Sequence, residues 1–312
     1  MRILVVGAGA TGGFFGALLA RAGRDVTFLV RPARAALLRE RGLRVVGLGE
    51  HVELEPKLAL AADLTAPFDL VLVTVKEAGL DGAIADLAPA VGPDTLILPV
   101  LNGIRHVDAL VQRFGERAVL GGVAFVATTI DANGDIERLA DLGSLIYGTR
   151  DGQPDPRLDE VHRTLSGAGF GAELSTDITT AMWSKWVFIA SICAVTCLMR
   201  GTVGEVEAVP GGARFAEAVV AEAAAVAAAA GHPVPEANLA DARAHVTQKG
   251  SPFASSLYRD LTGGLDVEVE QILGDLVARA AASGMPVPLL ELVTMQLRVY
   301  RNRLRRTAPA AG

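Results

Sequence analysis

The first sixteen residues, MRILVVGAGATGGFFG, restrict the fold of this chain more than any other stretch. Ile3 to Val6 form an uninterrupted, largely β-branched apolar run, as expected of a strand buried on both faces. Gly7, Gly9 and Gly12 follow at once as G-x-G-x-x-G. In that pattern the first glycine permits a tight turn, the second lets the backbone approach a pyrophosphate, and the third lets the next helix close on the strand. Gly7, Ala8, Gly9, Ala10, Thr11 and Gly12 are therefore the expected cofactor-binding turn, with helix N–H groups facing the anion. Glycine is common in this chain, 34 of 312 residues, so the motif needs its setting. That setting is a helix expected from Phe14 to Ala22, closed by Gly23, and a second strand from Asp25 to Val30, within the span of one βαβ unit.

The second strand ends at Arg31, where dinucleotide folds usually carry an acid for the ribose hydroxyl. An arginine there suits a 2′-phosphate, with Arg34 as an assistant, so NADP(H) is expected in preference to NAD. Residues 43–60 alternate apolar and polar, as a hairpin or a pair of edge strands would. Residues 69–76 and 95–103 read as buried strands ending in Lys76 and in Asn102-Gly103. Ligands of a doubly wound sheet bind outside the carboxyl ends of its strands, which makes Lys76 and Asn102 cofactor-side candidates. Asn-Gly is equally a simple turn former. Further strands are expected over 118–130 and 142–148, a hairpin turn at 131–134, a helix over 157–168 and a last short strand around Glu173. From Thr180 the pattern is helical almost throughout. The expected architecture is an α/β, Rossmann-like dinucleotide-binding domain over 1–177, followed by an all-α domain over 178–312.

With 51% apolar and 21% charged residues, the chain has ample material for a packed core. A net charge of −6, without basic runs interleaved with aromatics, argues against a nucleic-acid partner. The apolar N-terminus is broken by glycines and does not read as a signal peptide. No stretch reaches the roughly 18 unbroken apolar residues of a membrane helix, and a cytoplasmic protein is expected. Cys193 and Cys197 have neither C-x-x-C nor zinc spacing, so they read as buried and reduced, with no metal implied.

The helical half opens with AMWSKWVFIASICAVTCLMR, residues 181–200, whose cation before the final arginine is Lys185. An ammonium in so apolar a helix is costly unless it snorkels, pairs with a carboxylate, or serves chemistry with a lowered pKa. Helices over 212–230 and 265–283 each end in a Gly-Pro stop. Ser255 and Ser256 open a short helical turn that Gly263 and Gly264 break, and Glu268 and Glu270 are expected to enter the next helix. Acids in a first turn often serve only the helix dipole. Glu268 facing Lys185 would instead form a coupled pair. The apolar surface of this half would suffice for a homodimer.

Taken together, these residues resemble the ketopantoate reductases (2-dehydropantoate 2-reductases) over nearly the whole chain. The resemblance rests on GAGATGG, Arg31, Lys76 in TVK, Asn102-Gly103 in VLNG, Trp183 and Lys185 in W-x-K, Ser255-Ser256 with Asp260, and Glu268 in VEVEQILG. It implies NADPH-dependent reduction of a 2-oxo acid, ketopantoate to pantoate in pantothenate and coenzyme A biosynthesis. It further implies that Lys185 is the general acid, that Glu268 orients substrate and lysine, that Asn102 lies between cofactor and substrate, and that Ser256 helps hold the substrate carboxylate. The chain departs from the family at Ile189 and Phe253, where amides are usual, which points to a bulkier, less polar 2-oxo acid as the alternative substrate. A non-catalytic NADP(H)-binding sensor is the competing function. A flavin enzyme with the same glycines is disfavoured by chain length.

Overall fold

A computed structural model describes residues 1–307. By contacts the chain divides into two units, Met1–Leu101 with His106–Thr179, and Asn102–Arg105 with the residues from Thr180 onward. Sequence reading set the division near residue 177 and kept Asn102 with the sheet; by contacts residues 102–105 join the helical unit instead.

The first unit runs β1 (Arg2–Val6), α1 (Ala10–Arg21), β2 (Asp25–Leu29), α2 (Pro32–Arg41), β3 (Leu43–Gly47), β4 (Glu50–Leu54) and β5 (Lys57–Ala59). It continues with β6 (Leu70–Val73), α3 (Leu80–Leu87), β7 (Leu96–Pro99), α4 (Arg105–Phe114), β8 (Gly121–Ile130), β9 (Ile136–Gly148), α5 (Arg157–Leu165) and β10 (Gly171–Leu174). The uninterrupted apolar runs form the middle of a five-stranded parallel sheet in the order β5-β2-β1-β6-β7. Every residue of β6 and β7 is buried, as two-sided coverage by helices requires. Val119 bridges Ile97 in parallel and adds a sixth position beside β7. The strand order reverses between β1 and β6, and the ends of those two strands are where such a sheet offers a ligand crevice.

The alternating stretch 43–60 divides between two sheets. β3 and β4 pair as an antiparallel hairpin in a second sheet with β8, β9 and β10, while β5 edges the first. Helix α1 starts at Ala10, inside the glycine motif and earlier than the apolar pattern implied, because Gly9 serves as its N-cap. Phe14, Phe15, Leu18 and Leu19 of α1 are buried in the core with Phe28 of β2.

The second unit contains α6 (Ile178–Met199), α7 (Val203–Glu207), α8 (Gly212–Ala229), α9 (Glu236–Val246), α10 (Ser256–Thr262), α11 (Asp275–Ala282) and α12 (Pro288–Thr307). Every described element here is helical. Among the described residues, α6 alone is long and apolar enough to cross a membrane, but most of its apolar window is buried inside the protein, as in a core helix. The helix expected over 265–283 does not begin at 265. Residues 265–268 are irregular, a π turn occupies Glu270–Gly274, and regular α-helix resumes only at Asp275. Glu268 therefore precedes the helix and does not lie in its first turn.

Candidate functional site

In the first unit the three glycines meet three different constraints. Gly7 has φ +97°, a left-handed conformation that only glycine adopts cheaply. A Cβ on Gly12 would sit 2.1 Å from both the Gly7 carbonyl oxygen and Thr74 Oγ1, so that position is closed to any side chain. A Cβ on Gly9 would meet nothing within 4 Å. It would project into open space at the start of α1, where first-turn N–H groups have no partner within the helix and no side chain caps them. That open space beside main-chain donors fits a dinucleotide pyrophosphate. Thr74, at the end of β6, shares its hydroxyl between the carbonyls of Val6 and Gly7, each at 2.9 Å, and fixes the turn to the switch point of the sheet.

Arg31 is exposed at the end of β2, where it is the N-cap residue of α2. Its Nη2 lies 3.3 Å from the place a Gly79 Cβ would occupy, so small residues after β6 make room for the guanidinium. Lys76 is exposed at the head of the 3₁₀ turn Glu77–Gly79. Arg34, read as an assistant to Arg31, is committed elsewhere. Its Nε donates to the Ala8 carbonyl at 3.0 Å and its Nη1 to the Gly134 carbonyl at 2.9 Å, tying the glycine turn to the β8–β9 hairpin. Partial burial lowers its pKa, offset in part by Asp135.

In the second unit α6 carries Lys185. Its neighbours Trp183, Ser184, Trp186 and Val187 are buried, and burial of the ammonium lowers its pKa from 10.5 to about 8. Ile189 and Cys193 follow at one-turn and two-turn spacing, so this side of the helix continues from the cation into apolar surface. Cys193 is the hub of the site's second half. Burial pushes its thiol pKa far up, Cys197 adds to the rise, a hydrogen bond with Ser255 opposes it, the Glu268 carboxylate raises it further, and a backbone hydrogen bond with Leu257 opposes it. These interactions bring α6, the start of α10 and Glu268 into one neighbourhood. They also make the thiol inert, in keeping with a buried reduced cysteine.

Ser255 and Ser256 divide the labour at α10. Ser255 is 4% exposed and is the structural member: its Oγ accepts from the Tyr258 N–H at 3.0 Å and lies 3.0 Å from Thr196 Oγ1. Ser256 is exposed, between two residues that both contact Cys193. Phe253, two residues before Ser255, is 46% exposed.

Asn102 is half-buried, and its carbonyl accepts a hydrogen bond from Gln271 Nε2 in the π turn. In the same turn the Ile272 carbonyl accepts from Trp186 Nε1 at 2.9 Å. The residue beside Lys185 and the residue beside Gly103 are thus fastened to one irregular turn, with Glu268 just before it. Sequence reading missed Gln271 and Trp186 and took Cys193 only as a buried thiol. Trp186 adjoins the lysine in W-x-K-W and could have been found there, whereas nothing in the pattern of 265–283 announced a π turn.

Comparisons with known proteins show the family of the chain. The family described as Ketopantoate reductase PanE/ApbA matches residues 3–152, and its C-terminal counterpart matches residues 177–301. The chain is 31% identical over 300 residues to an uncharacterized oxidoreductase, YkpB, of Bacillus subtilis, covering 96% of this chain and 99% of that one. It is 32% identical over 292 residues to 2-dehydropantoate 2-reductase of Archaeoglobus fulgidus, covering 91% and 92%. A PanE/ApbA family ketopantoate reductase from Ralstonia eutropha superposes with a TM-score of 0.87 at 25% identity, over 98% of this chain and 100% of its own. D-mandelate dehydrogenase, solved with NADH and anilino(oxo)acetate, shares the fold with a TM-score of 0.87 at 21% identity, over 98% and 100%.

The two accessible tests of the glycine turn separate binding from folding. Gly9→Ala is expected to keep the melting temperature while weakening dinucleotide affinity, because its Cβ meets open space. Gly12→Ala is expected to destabilise the fold by about 1–3 kcal/mol or more, as overpacking does. Thermal melts with and without NADPH check both. A Gly9→Ala protein with undiminished affinity would show that the pyrophosphate does not lie there.

Proposed function

Because this chain belongs to the ketopantoate reductase family, we propose that it reduces a 2-oxo acid to a 2-hydroxy acid with NADPH, using Lys185 as the proton donor. The observation that carries this reading is Lys185 itself, a half-buried cation on the apolar helix α6 beside the buried Trp186; burial lowers its pKa to about 8, near the pH at which a proton donor works best. When bound, the dinucleotide would supply the hydride for the ketone carbon. Negative charge then gathers on the ketone oxygen, where Lys185 stabilises it and gives up its proton to form the hydroxyl. In this reading Glu268 orients the substrate and the lysine, Ser256 holds the substrate carboxylate, and Asn102 would contact the substrate and the bound cofactor. Gly7 to Gly12 hold the pyrophosphate, assisted by Lys76.

The 2′-phosphate belongs with Arg31. The cation stands at the end of β2 where an acid would favour NAD, and it is exposed and free of the structural bonds that occupy Arg34.

2-Dehydropantoate is the first substrate expected. Ile189 and Cys193 along the Lys185 side of α6, with Phe253 exposed before α10, favour a second reading in which the group beyond the 2-oxo acid is bulkier and less polar. Each unpaired polar group of ketopantoate would cost about 1–3 kcal/mol against such a surface. The ratio of kcat/KM for 2-dehydropantoate and an aryl 2-oxo acid such as phenylglyoxylate decides between them. Absence of NADPH oxidation with every 2-oxo acid tried, alongside tight NADPH binding, would leave a non-catalytic binding protein.

Lys185→Ala is expected to lower turnover by roughly 10²- to 10⁴-fold, the usual contribution of a positioned proton donor, while NADPH affinity stays nearly constant. An unchanged rate removes it as the acid. Arg31→Ala is expected to weaken NADPH far more than NADH in paired binding titrations. Equal weakening of both would refute the 2′-phosphate assignment.

A further inference from the structure

Gln271 is 2% exposed, and a buried carboxamide is costly unless it is hydrogen-bonded. Its Nε2 donates to the main-chain carbonyl of Asn102. The contact is close on both sides: Gly103 has φ +79°, and a Cβ there would sit 2.4 Å from the Gln271 carbonyl oxygen. The 102–103 turn is thus seated on the π turn Glu270–Gly274 by a side-chain donor and by the lack of a side chain at Gly103.

The π turn is itself held from two other directions. Trp186 Nε1 donates to the Ile272 carbonyl at 2.9 Å, and Arg298 grips the Glu270 carboxylate through Nε at 2.9 Å and Nη2 at 2.6 Å. The Arg298 bonds also hold the Glu270 carboxyl below its ordinary range. The indole bonds a carbonyl inside the π turn, and π turns recur at functional positions. The consequence is a short rigid path from Asn102 through Gln271 and Ile272 to Trp186, the neighbour of Lys185.

We propose that Gln271 is a positioning residue for the reduction, holding Asn102 in register with Lys185 through the π turn. This role rests on the 2-oxo acid reductase reading above. Gln271 acts through the Asn102 main chain. A misplacement of about 1 Å in such a group is enough to lower turnover about 100-fold.

The test uses the full chain with NADPH and its best 2-oxo acid, comparing wild type, Gln271→Met, Asn102→Ala and the double variant. Methionine keeps the length of the side chain and removes the donor. Gln271→Met is expected to lower kcat roughly 10- to 100-fold with a much smaller change in NADPH affinity. Adding Gln271→Met to Asn102→Ala is expected to cost little more, since both act through one group. Amide hydrogen exchange at residues 103–105 is expected to quicken in Gln271→Met. Should that protein fold poorly, Gln271→Asn, which keeps the amide but shortens its reach to the Asn102 carbonyl, is expected to give the same kinetic pattern. Additive losses, or unchanged exchange at 103–105, overturn the role of Gln271 alone. A wild type inactive on every 2-oxo acid overturns the reaction and this role with it.

Discussion

An ammonium on an apolar helix is the constraint around which the second unit is arranged. α6 is buried along most of its length, and Lys185 is its sole cation. Desolvation disfavours the charged form and shifts the group to about 8, which turns a poor acid into one poised to release a proton near neutrality. The same burial makes position matter, because such a group cannot wander to find its substrate. The elements around α6 supply that position. Trp186 fastens the helix to the π turn, Gln271 fastens the Asn102 turn to the same element, and Cys193 gathers Ser255, Leu257 and the charge of Glu268.

The proposed reading sets the first unit a different requirement, to hold an anion without a lysine in the loop. It does so with backbone. The β1–α1 turn exposes first-turn N–H groups beside Gly9, and the rest of the turn is braced from beneath by Thr74 and from the side by Arg34. Arg34, expected from the sequence as an assistant to Arg31, thus acts as a support. A binding loop made of main-chain donors gains nothing from flexibility, and its rigidity comes from neighbours outside the motif.

The legible parts were those where one residue type answers one local constraint. Gly7 and Gly12 were readable because a positive φ and a closed Cβ position leave no choice but glycine. The buried parallel strands were readable because continuous apolar runs have few other uses. Lys185 stood out because its cost is written in the residues around it. What escaped depends on partners far away in the chain. The end of the Arg34 side chain is set by Ala8 and Gly134, and the separation of Asn102 from its own sheet by Gln271, while the π turn before α11 is bonded by an indole from α6. None of these leaves a period in the local sequence. Glu268 was expected on a helix and lies before it, since two acids after a glycine pair look like a helix start.

Family membership sets the reaction type more firmly than the substrate, because the pieces that handle hydride and proton differ from the surface that meets the rest of the acid. Ile189 and Phe253 are the positions where sequence reading expects this chain to depart from its relatives. The central claim is that the proton comes from a desolvated lysine, and the pH dependence of kcat/KM for NADPH-driven reduction tests it most directly. The protonated form is the donor, so the rate should be level below a pKa of about 8 and fall tenfold per pH unit above it. A profile that stays level through pH 10 would contradict the assignment of Lys185 as the acid.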